Sequence, residues 1–310
     1  MTLPFRLLDD LPLGIAPQAV MSAFAPFICA DAGPKDYEDL TRHIRKKAMK
    51  KAVRRVWSGE GGLRSRKKDI IFDEYESAWS RGFGAYDLSA GCARPEPWLY
   101  RDQKLLADRA GVPRYRSVIL AAAIRALKPK RVLEVGCGNG INLLLLANSF
   151  PEVSFAGLEL TEAGHRVATE IQKAEFLPEA LANYVPEIQE DLHAFRRIDF
   201  RRGDATVMPF ADGAYDLVFT VLSIEQMERV RDAALTEVAR VSNCHVLNLE
   251  PFSEANRTLW RRMHVMVRDY FRGSIRELPR YGLEPMWATM DFPQELQLGA
   301  ALVLSRKRTA

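Results

Sequence analysis

The chain has 310 residues, of which 47% are hydrophobic and 27% charged, so it can bury a substantial core, and a disordered chain is excluded. Its net charge of +4 is uneven, because residues 42–68 carry a local charge of +11 and the remainder carries −7. The four cysteines form no Cys-x-x-Cys pair and the histidines do not cluster, which argues against a zinc site and a disulfide framework and favours a reducing cytoplasm.

Residues 11–30 contain no charged side chain, which raises the question of a membrane span or a signal peptide. Asp9 and Asp10 stand where a signal peptide has cations, and four helix breakers interrupt the stretch: Pro12, Gly14, Pro17 and Pro26. We therefore expect a packed N-terminal arm.

Residues 36–57 show the apolar spacing of an amphipathic helix, and they overlap the basic segment, defined as residues 42–68. The first interpretation of this charge is a solvated helix face. An acidic substrate or an anionic membrane surface, approached through residues 11–68, comes next. Nucleic acid comes last, because Trp57 is the one aromatic residue among the cations.

An aromatic stripe recurs at steps of three and four residues between Ile70 and Tyr86, as on one face of a helix: Phe72, Tyr75, Trp79, Phe83 and Tyr86. It either packs the N-terminal region onto the main domain or forms a lid over a ligand, and the two roles are compatible. We expect an N-terminal helical extension over residues 1–112 and the main domain over residues 113–310.

Helices and strands alternate from Pro113 onward. The pattern predicts helices at 114–127, 139–150, 162–173, 229–241 and 260–271, and strands at 131–135, 153–161, 198–205, 215–220, 245–249, 282–288 and 300–306. Residues 174–197 are predicted as a mixed helical insertion. This order is typical of an α/β fold with a seven-stranded, mostly parallel, Rossmann-like sheet, covered by helices on both faces and binding ligands at the carboxyl ends of its strands.

A glycine turn follows the first strand of this domain, in the stretch Val132-Leu133-Glu134-Val135-Gly136-Cys137-Gly138-Asn139-Gly140. A strand, a glycine turn and a helix in this order are typical of a nucleotide-type cofactor site. Ile141 stands where the dinucleotide motif has its third glycine, so NAD is disfavoured. Glu134 is unfavourable beside a pyrophosphate but suits a ligand that carries an ammonium and a sulfonium.

This stretch resembles motif I of the class I S-adenosylmethionine-dependent methyltransferases, and three later segments resemble the family's next motifs in the same order. They are residues 153–161, 198–205 and 215–220. The resemblance implies that S-adenosylmethionine is the cofactor. It places the methionine moiety beside Glu134 and the backbone of Gly136 and Gly138, and the ribose beside Glu159. It places the adenine beside Asp204 and the Ala205 N–H, and the transferred methyl beside Thr220. Cys137 and Leu160 are further cofactor-binding candidates.

The stretch Leu222-Ser223-Ile224-Glu225-Gln226-Met227 resembles the Leu-Glu-His segment of small-molecule methyltransferases, with glutamine in place of the histidine. Gln226 can orient a substrate but cannot take a proton at neutral pH. The substrate-side candidates are therefore Tyr75, Trp79 and Gln226, with no general base identified. Leu222 replaces the acid of some relatives, so no catalytic metal is expected.

These features predict methyl transfer to oxygen or nitrogen of a small or medium-sized acceptor, with an anionic acceptor left open. One alternative is an acceptor on a membrane-associated lipid or glycan precursor, or on nucleic acid, reached through the basic segment. A different class of alternative is a cofactor-binding scaffold without turnover. We expect a cytoplasmic protein, with peripheral membrane association left open, and the sequence leaves the acceptor and the oligomeric state undetermined.

Overall fold

The computed structural model describes residues 4–57, 76–77, 79, 92–182, 184–185 and 188–308, with residues 51–57 described by their backbone alone. Its helices are α1 Pro17–Phe24, α2 Pro34–Trp57, α3 Val112–Leu127, α4 Ile141–Ala147, α5 Glu162–Gln172, α6 Glu179–Ala182, α7 Arg231–Val241 and α8 Leu259–Arg268. Its strands are β1 Pro95–Tyr100, β2 Gln103–Asp108, β3 Arg131–Val135, β4 Ser154–Glu159, β5 Asp199–Arg202, β6 Tyr215–Val221, β7 Ser242–Glu250, β8 Leu283–Thr289, β9 Gln294–Glu295 and β10 Ala301–Lys307.

Seven strands form the main sheet in the order β5-β4-β3-β6-β7-β10-β8. The first five run parallel, and β10 is antiparallel to both of its neighbours, β7 and β8. The central strand β3 is buried from Val132 to Val135, as expected for a strand covered by helices on both faces. The predicted seven-stranded, mostly parallel sheet is confirmed.

Helix α4 begins two residues later than predicted and ends three residues earlier. Gly140 precedes it with a left-handed backbone, φ 75°, and every residue from Ile141 to Ala147 is buried. The glycine turn thus occupies residues that the apolar pattern assigned to the helix. This shorter helix leaves the carboxyl end of β3 open to a ligand.

The N-terminal arm packs on the main domain. Phe24 of α1 is fully buried, with its ring 5.4 Å from that of Trp98 and 5.6 Å from that of Tyr115 on α3. Helix α1 has eight residues, and no helix in the described part of the chain is long and apolar enough to cross a membrane. The expected packed arm is confirmed.

A β-hairpin at residues 95–108 is absent from the predicted elements. Strand β1 pairs with β2 on one side and with β9 on the other, forming a second, three-stranded sheet. Pro95 and Pro97 lie inside β1, where proline argues against a strand. The turn contains Arg101 at φ 49° in place of the glycine that marks a tight hairpin, so the sequence carried no hairpin signal.

The structure joins Cys29 to Cys92 in a disulfide, with Cα atoms 5.2 Å apart, so the expectation of no disulfide is wrong. The backbone of Cys29 donates to Leu106 of β2, and Cys92 lies just before β1. The pair is 63 residues apart in the chain, and only the packing of the arm against the hairpin brings the two together.

Candidate functional site

A cavity of about 580 Å³ opens at the carboxyl ends of β3, β4 and β6. This volume lies within the range of about 300–1,000 Å³ usual for small-molecule sites. Among the predicted site residues its lining includes Trp79, Glu134, Gly136, Cys137, Gly138, Glu159, Leu160, Asp204, Ala205 and Gln226. The fold therefore brings residues from five separate sequence segments to one cavity.

The glycine turn needs glycine for both conformation and space. Gly136, Gly138 and Gly140 have φ of 73°, 55° and 75°, in the left-handed region. A Cβ on Gly136 would lie 2.5 Å from Ser223 Cβ, and one on Gly138 would lie 2.5 Å from the Trp79 ring. The N–H groups of Gly136 and Cys137 donate to the Leu158 carbonyl, so their bonds hold the turn to β4.

Glu159 ends β4 and fixes the same turn from the side. Its Oε2 accepts from Gly138 N at 2.9 Å, and its Oε1 accepts from Thr161 N at 2.8 Å and Thr161 Oγ1 at 2.5 Å. The carboxylate is 6% exposed and lines the cavity. A buried carboxylate held in this way can accept hydrogen bonds from a ligand's hydroxyl groups.

Glu134 is a buried acid inside the sheet. Asn142 Nδ2 donates to its Oε1 at 2.6 Å, while Oε2 is buried and accepts no hydrogen bond from the described residues. Burial raises the pKa of this carboxyl to about 8. A cationic ligand group would restore the missing partner and favour ionisation, so the site suits an ammonium.

Asp204 follows β5 in a turn of its own. Its Oδ1 accepts from Thr206 N at 2.9 Å and from Thr206 Oγ1 at 2.8 Å, which orients the carboxylate at the cavity wall beside Gly203 and Ala205.

Cys137 is also at the cavity wall, but its side chain is buried, with 6% exposure. Burial raises the pKa of its thiol well above the usual value. A packing role for Cys137 fits this environment.

The structure does not bring Thr220 to the cavity. Its side chain is fully buried, and its hydroxyl accepts from Asn248 Nδ2 at 2.9 Å across the β6–β7 pair. Val221, Leu222 and Ser223 line the cavity at this point instead. Side chains alternate between the two faces of the sheet along β6, so Thr220 and its neighbour Val221 point to opposite faces.

The turn after β6 is held by a residue that the sequence analysis missed as a functional candidate. Glu250, at the end of β7, accepts from Ser223 N and Ile224 N through Oε1 and from Glu225 N through Oε2, each at 3.1 Å. Burial raises the pKa of the Glu250 carboxyl to about 7. A buried acid at a strand end next to the sheet's switch point was the signal available for it.

Trp79 lines the cavity at the glycine turn, where its ring occupies the space in which a side chain at Gly138 would lie. Near it, the Glu76 carboxylate accepts from Ala163 N at 3.0 Å, at the start of α5. These contacts dock the segment on the cofactor side of the domain. The other stripe residues, including Tyr75, lie outside the described part of the chain.

The geometry fits S-adenosylmethionine. The Gly136 and Gly138 positions have no room for a side chain, Glu134 carries an unpartnered carboxylate oxygen, and Glu159 and Asp204 present oriented acceptors. In residues 4–57 and the later described stretches, no group of three His, Cys, Asp or Glu is placed to hold a metal. The expectation of a metal-free site stays a prediction.

Comparison with known sequences supports the same reading. Residues 133–243 match a family model described as a methyltransferase domain. A fatty-acid O-methyltransferase of Mycolicibacterium smegmatis is 32% identical over 134 residues, 43% of this chain and 40% of that protein. Ajmaline N-methyltransferase of Rauvolfia serpentina is 27% identical over 115 residues, 37% of this chain and 33% of the relative. The chain thus spans less than half the length of these curated relatives.

Solved structures share the fold. The cyclase SpnF superposes with a TM-score of 0.51 at 16% identity, covering 79% of this chain and 98% of its own. Magnesium protoporphyrin IX methyltransferase from Synechocystis, solved with bound SAH, gives a TM-score of 0.50 at 16% identity, over 78% of this chain and all of its own. Residues 133–243 thus form a methyltransferase domain, and the chain resembles the class I, Rossmann-like S-adenosylmethionine-dependent methyltransferases in its seven-stranded sheet and glycine turn.

Proposed function

We propose that this protein transfers the methyl group of S-adenosylmethionine to an oxygen or nitrogen atom of a small or medium-sized acceptor. The observation that carries the proposal is the cavity at the end of β3, where Glu134, Glu159 and Asp204 converge on the glycine turn. When bound, S-adenosylmethionine supplies an electrophilic methyl group on a sulfonium.

The chain's own residues bind and orient in this scheme. Glu134 would face the ammonium group of the cofactor, Glu159 would accept from the ribose hydroxyls, and Asp204 would accept from the adenine amino group. Alignment of acceptor and methyl at about 3 Å is the main contribution of such a site, because the displacement needs no covalent intermediate. The Trp79 ring lies against Gly138 of the glycine turn and would shield the bound cofactor from water there.

The names of the relatives support both O- and N-methylation, of a fatty acid and of an alkaloid, and leave the acceptor open. The cations of α2 with described side chains, among them Lys46, Lys47 and Lys50, are exposed. That exposure is compatible with a solvated face, an acidic acceptor or a membrane surface. The cytoplasmic location stays a prediction, and the Cys29–Cys92 disulfide removes one argument for it.

Two measurements test the proposal. Isothermal titration with S-adenosylhomocysteine should show one site with affinity far tighter than millimolar, and binding no better than millimolar would contradict the cofactor assignment. Transfer of a labelled methyl group from S-adenosylmethionine into extract fractions should yield a labelled small molecule. Tight binding without any transfer would favour the cofactor-binding scaffold.

A further inference from the structure

A second cavity, of about 620 Å³, lies beside the cofactor cavity. Leu222 and Glu225 line both, so the two cavities adjoin at the turn after β6. The other walls of the second cavity come from α2, β1, Arg109 after β2, α8, β9 and the segment that follows β9. The lining mixes apolar and polar groups, and its larger apolar side chains on α2, α8 and the segment after β9 are Ile44, Trp260, Met263, Val267, Leu296 and Leu298.

Two polar atoms in this lining lack a partner. Glu225 is 7% exposed, and its Oε2 is buried with no hydrogen-bond partner among the described residues, whereas Oε1 accepts from Gln226 Nε2 at 2.8 Å. The same holds for Trp260 Nε1, a buried donor. An unpartnered buried polar atom is costly, so a ligand that supplies its partner gains binding energy.

The charged groups of the lining are largely committed to one another. Arg109 donates to Glu295 at 2.8 Å and lies 3.4 Å from Glu96. Lys47 and Arg268, in contrast, make no ion pair with any described residue, and they line the cavity on α2 and α8. The basic helix α2 therefore closes the second cavity.

We propose that the second cavity is the acceptor site of the proposed methyl transfer, and that it binds a molecule with an apolar body and a hydroxyl or amine group whose proton passes to Glu225. This inference rests on the proposed function. The observation that supports it is that Glu225 lines both cavities. A ligand in the second cavity would reach the cofactor cavity with the atom that lies beside Glu225.

The step balances without a further reactant. A lone pair of the acceptor oxygen or nitrogen forms the bond to the methyl carbon, and the carbon–sulfur bond breaks with its electron pair left on sulfur. The acceptor's proton passes to Oε2 of Glu225. Gln226 holds Oε1, and Glu250 fixes the backbone N–H of Glu225, so the carboxylate is oriented from two sides.

The surroundings tune Glu225 to this task. Burial raises the pKa of its carboxyl to about 8, with Glu250 on β7 and Glu295 on β9 raising the pKa and Arg116 on α3 lowering it. Catalytic bases work best with a pKa near the operating pH. Glu225 supplies the base that Gln226, in the usual histidine position, cannot.

A chemical label tests the placement of Glu225 without knowledge of the natural acceptor. Dicyclohexylcarbodiimide adds a protonated carboxyl in an apolar site across its N=C bond, and no other reactant is needed. We expect one adduct on Glu225, located by peptide mass spectrometry, in protein saturated with S-adenosylhomocysteine. The probe 4-octylphenol should slow this labelling at least fivefold, and Glu225→Gln should abolish it.

A cavity-filling variant tests the site itself. In Met263→Trp the added ring volume should weaken 4-octylphenol binding at least tenfold by isothermal titration, while affinity for S-adenosylhomocysteine stays within twofold. Met266→Trp is the matched control, because Met266 lies on the exposed face of the same helix, at 48% exposure. It should leave both affinities unchanged.

Labelled-methyl transfer to 4-octylphenol and octylamine tests the proton step. Wild-type protein should methylate at least one of them, and Glu225→Gln should lower kcat by about 10²–10⁴-fold with unchanged affinity for S-adenosylhomocysteine. Any of four results would overturn the inference: Glu225 does not react, its labelling is blocked by S-adenosylhomocysteine but not by the phenol, Glu225→Gln turns over as fast as the wild type, or neither probe is methylated. Absence of S-adenosylhomocysteine binding to the wild-type protein would instead overturn the proposed function.

Discussion

The substitution Glu159→Gln separates a ligand-binding carboxylate from an ordinary strand-end acid. Glu159 accepts from Gly138 N through one oxygen and from Thr161 through the other. Glutamine keeps the shape but replaces one oxygen with an NH₂ group, which opposes either Gly138 N–H or Thr161 N–H. One backbone donor of the cofactor turn is thus left without an acceptor in a buried site.

The magnitude follows from the bonds lost. A hydrogen bond to a charged group contributes about 1.5–3 kcal/mol, so loss of one to the ribose lowers affinity for S-adenosylhomocysteine by about 10- to 100-fold. The orphaned N–H also costs about 1–3 kcal/mol of unfolding free energy in the unliganded protein. Both effects are expected in the same variant.

Asp216→Asn is the matched control. Asp216 likewise accepts from two backbone N–H groups, those of Lys130 and Arg131, but it lies at the amino end of β6, away from the cavity. Isothermal titration and urea unfolding of both variants should show that each loses stability and that only Glu159→Gln loses affinity. Equal affinity losses, or none in Glu159→Gln, would refute the assignment of Glu159 to the ribose.

Four further predictions follow from the same contacts. Asp204→Ala should weaken S-adenosylhomocysteine binding by about 10- to 100-fold in titration calorimetry, and unchanged affinity would mean that the adenine lies elsewhere. Trp79→Ala should lower turnover and acceptor affinity more than the melting temperature, and the reverse pattern would assign Trp79 to the core. Because the folded-state pKa of Glu134 is raised to about 8, the free energy of unfolding should fall as pH rises from about 4.5 through 8. Urea unfolding of Glu134→Gln should show a smaller fall over this range than the wild type does. Turnover should rise with pH through about 8 as Glu225 ionises, and a pH profile without this limb would argue against it as the base.

The sheet could be predicted from sequence because its strands β3, β4 and β6 are largely apolar runs, and because β3 and β5 are each followed by a glycine. The hairpin at residues 95–108 could not. Strand β1 of the hairpin contains Pro95 and Pro97, and the turn has no glycine, so local propensity opposes this structure. Packing against Phe24 and pairing with β9 stabilise it. The Cys29–Cys92 disulfide depends on that same packing and was equally hidden.

The cofactor side of the site was predictable because a motif fixes it locally: Glu134, Gly138, Glu159 and Asp204 each lie within three residues of the carboxyl end of a strand. Thr220 shows the limit, since a register of one residue on β6 decides whether a side chain meets the cavity or the core. The acceptor side was not predictable. Its walls come from α2, β1, Arg109, α8 and the β9 segment, which are separate in sequence and share no spacing.

The turn after β6 connects these two halves. Leu222 lies in both cavity walls with φ 50°, a conformation that costs a residue with a Cβ about 1 kcal/mol or more, and its N–H donates to Leu249 O on β7. Glu250 holds the next three N–H groups of the same turn. These bonds from β7 offset the strain and fix the backbone that carries Glu225. In a transfer from one ligand to another, the reacting atoms must meet at the boundary between the two cavities. A backbone fixed at this turn holds that boundary in place.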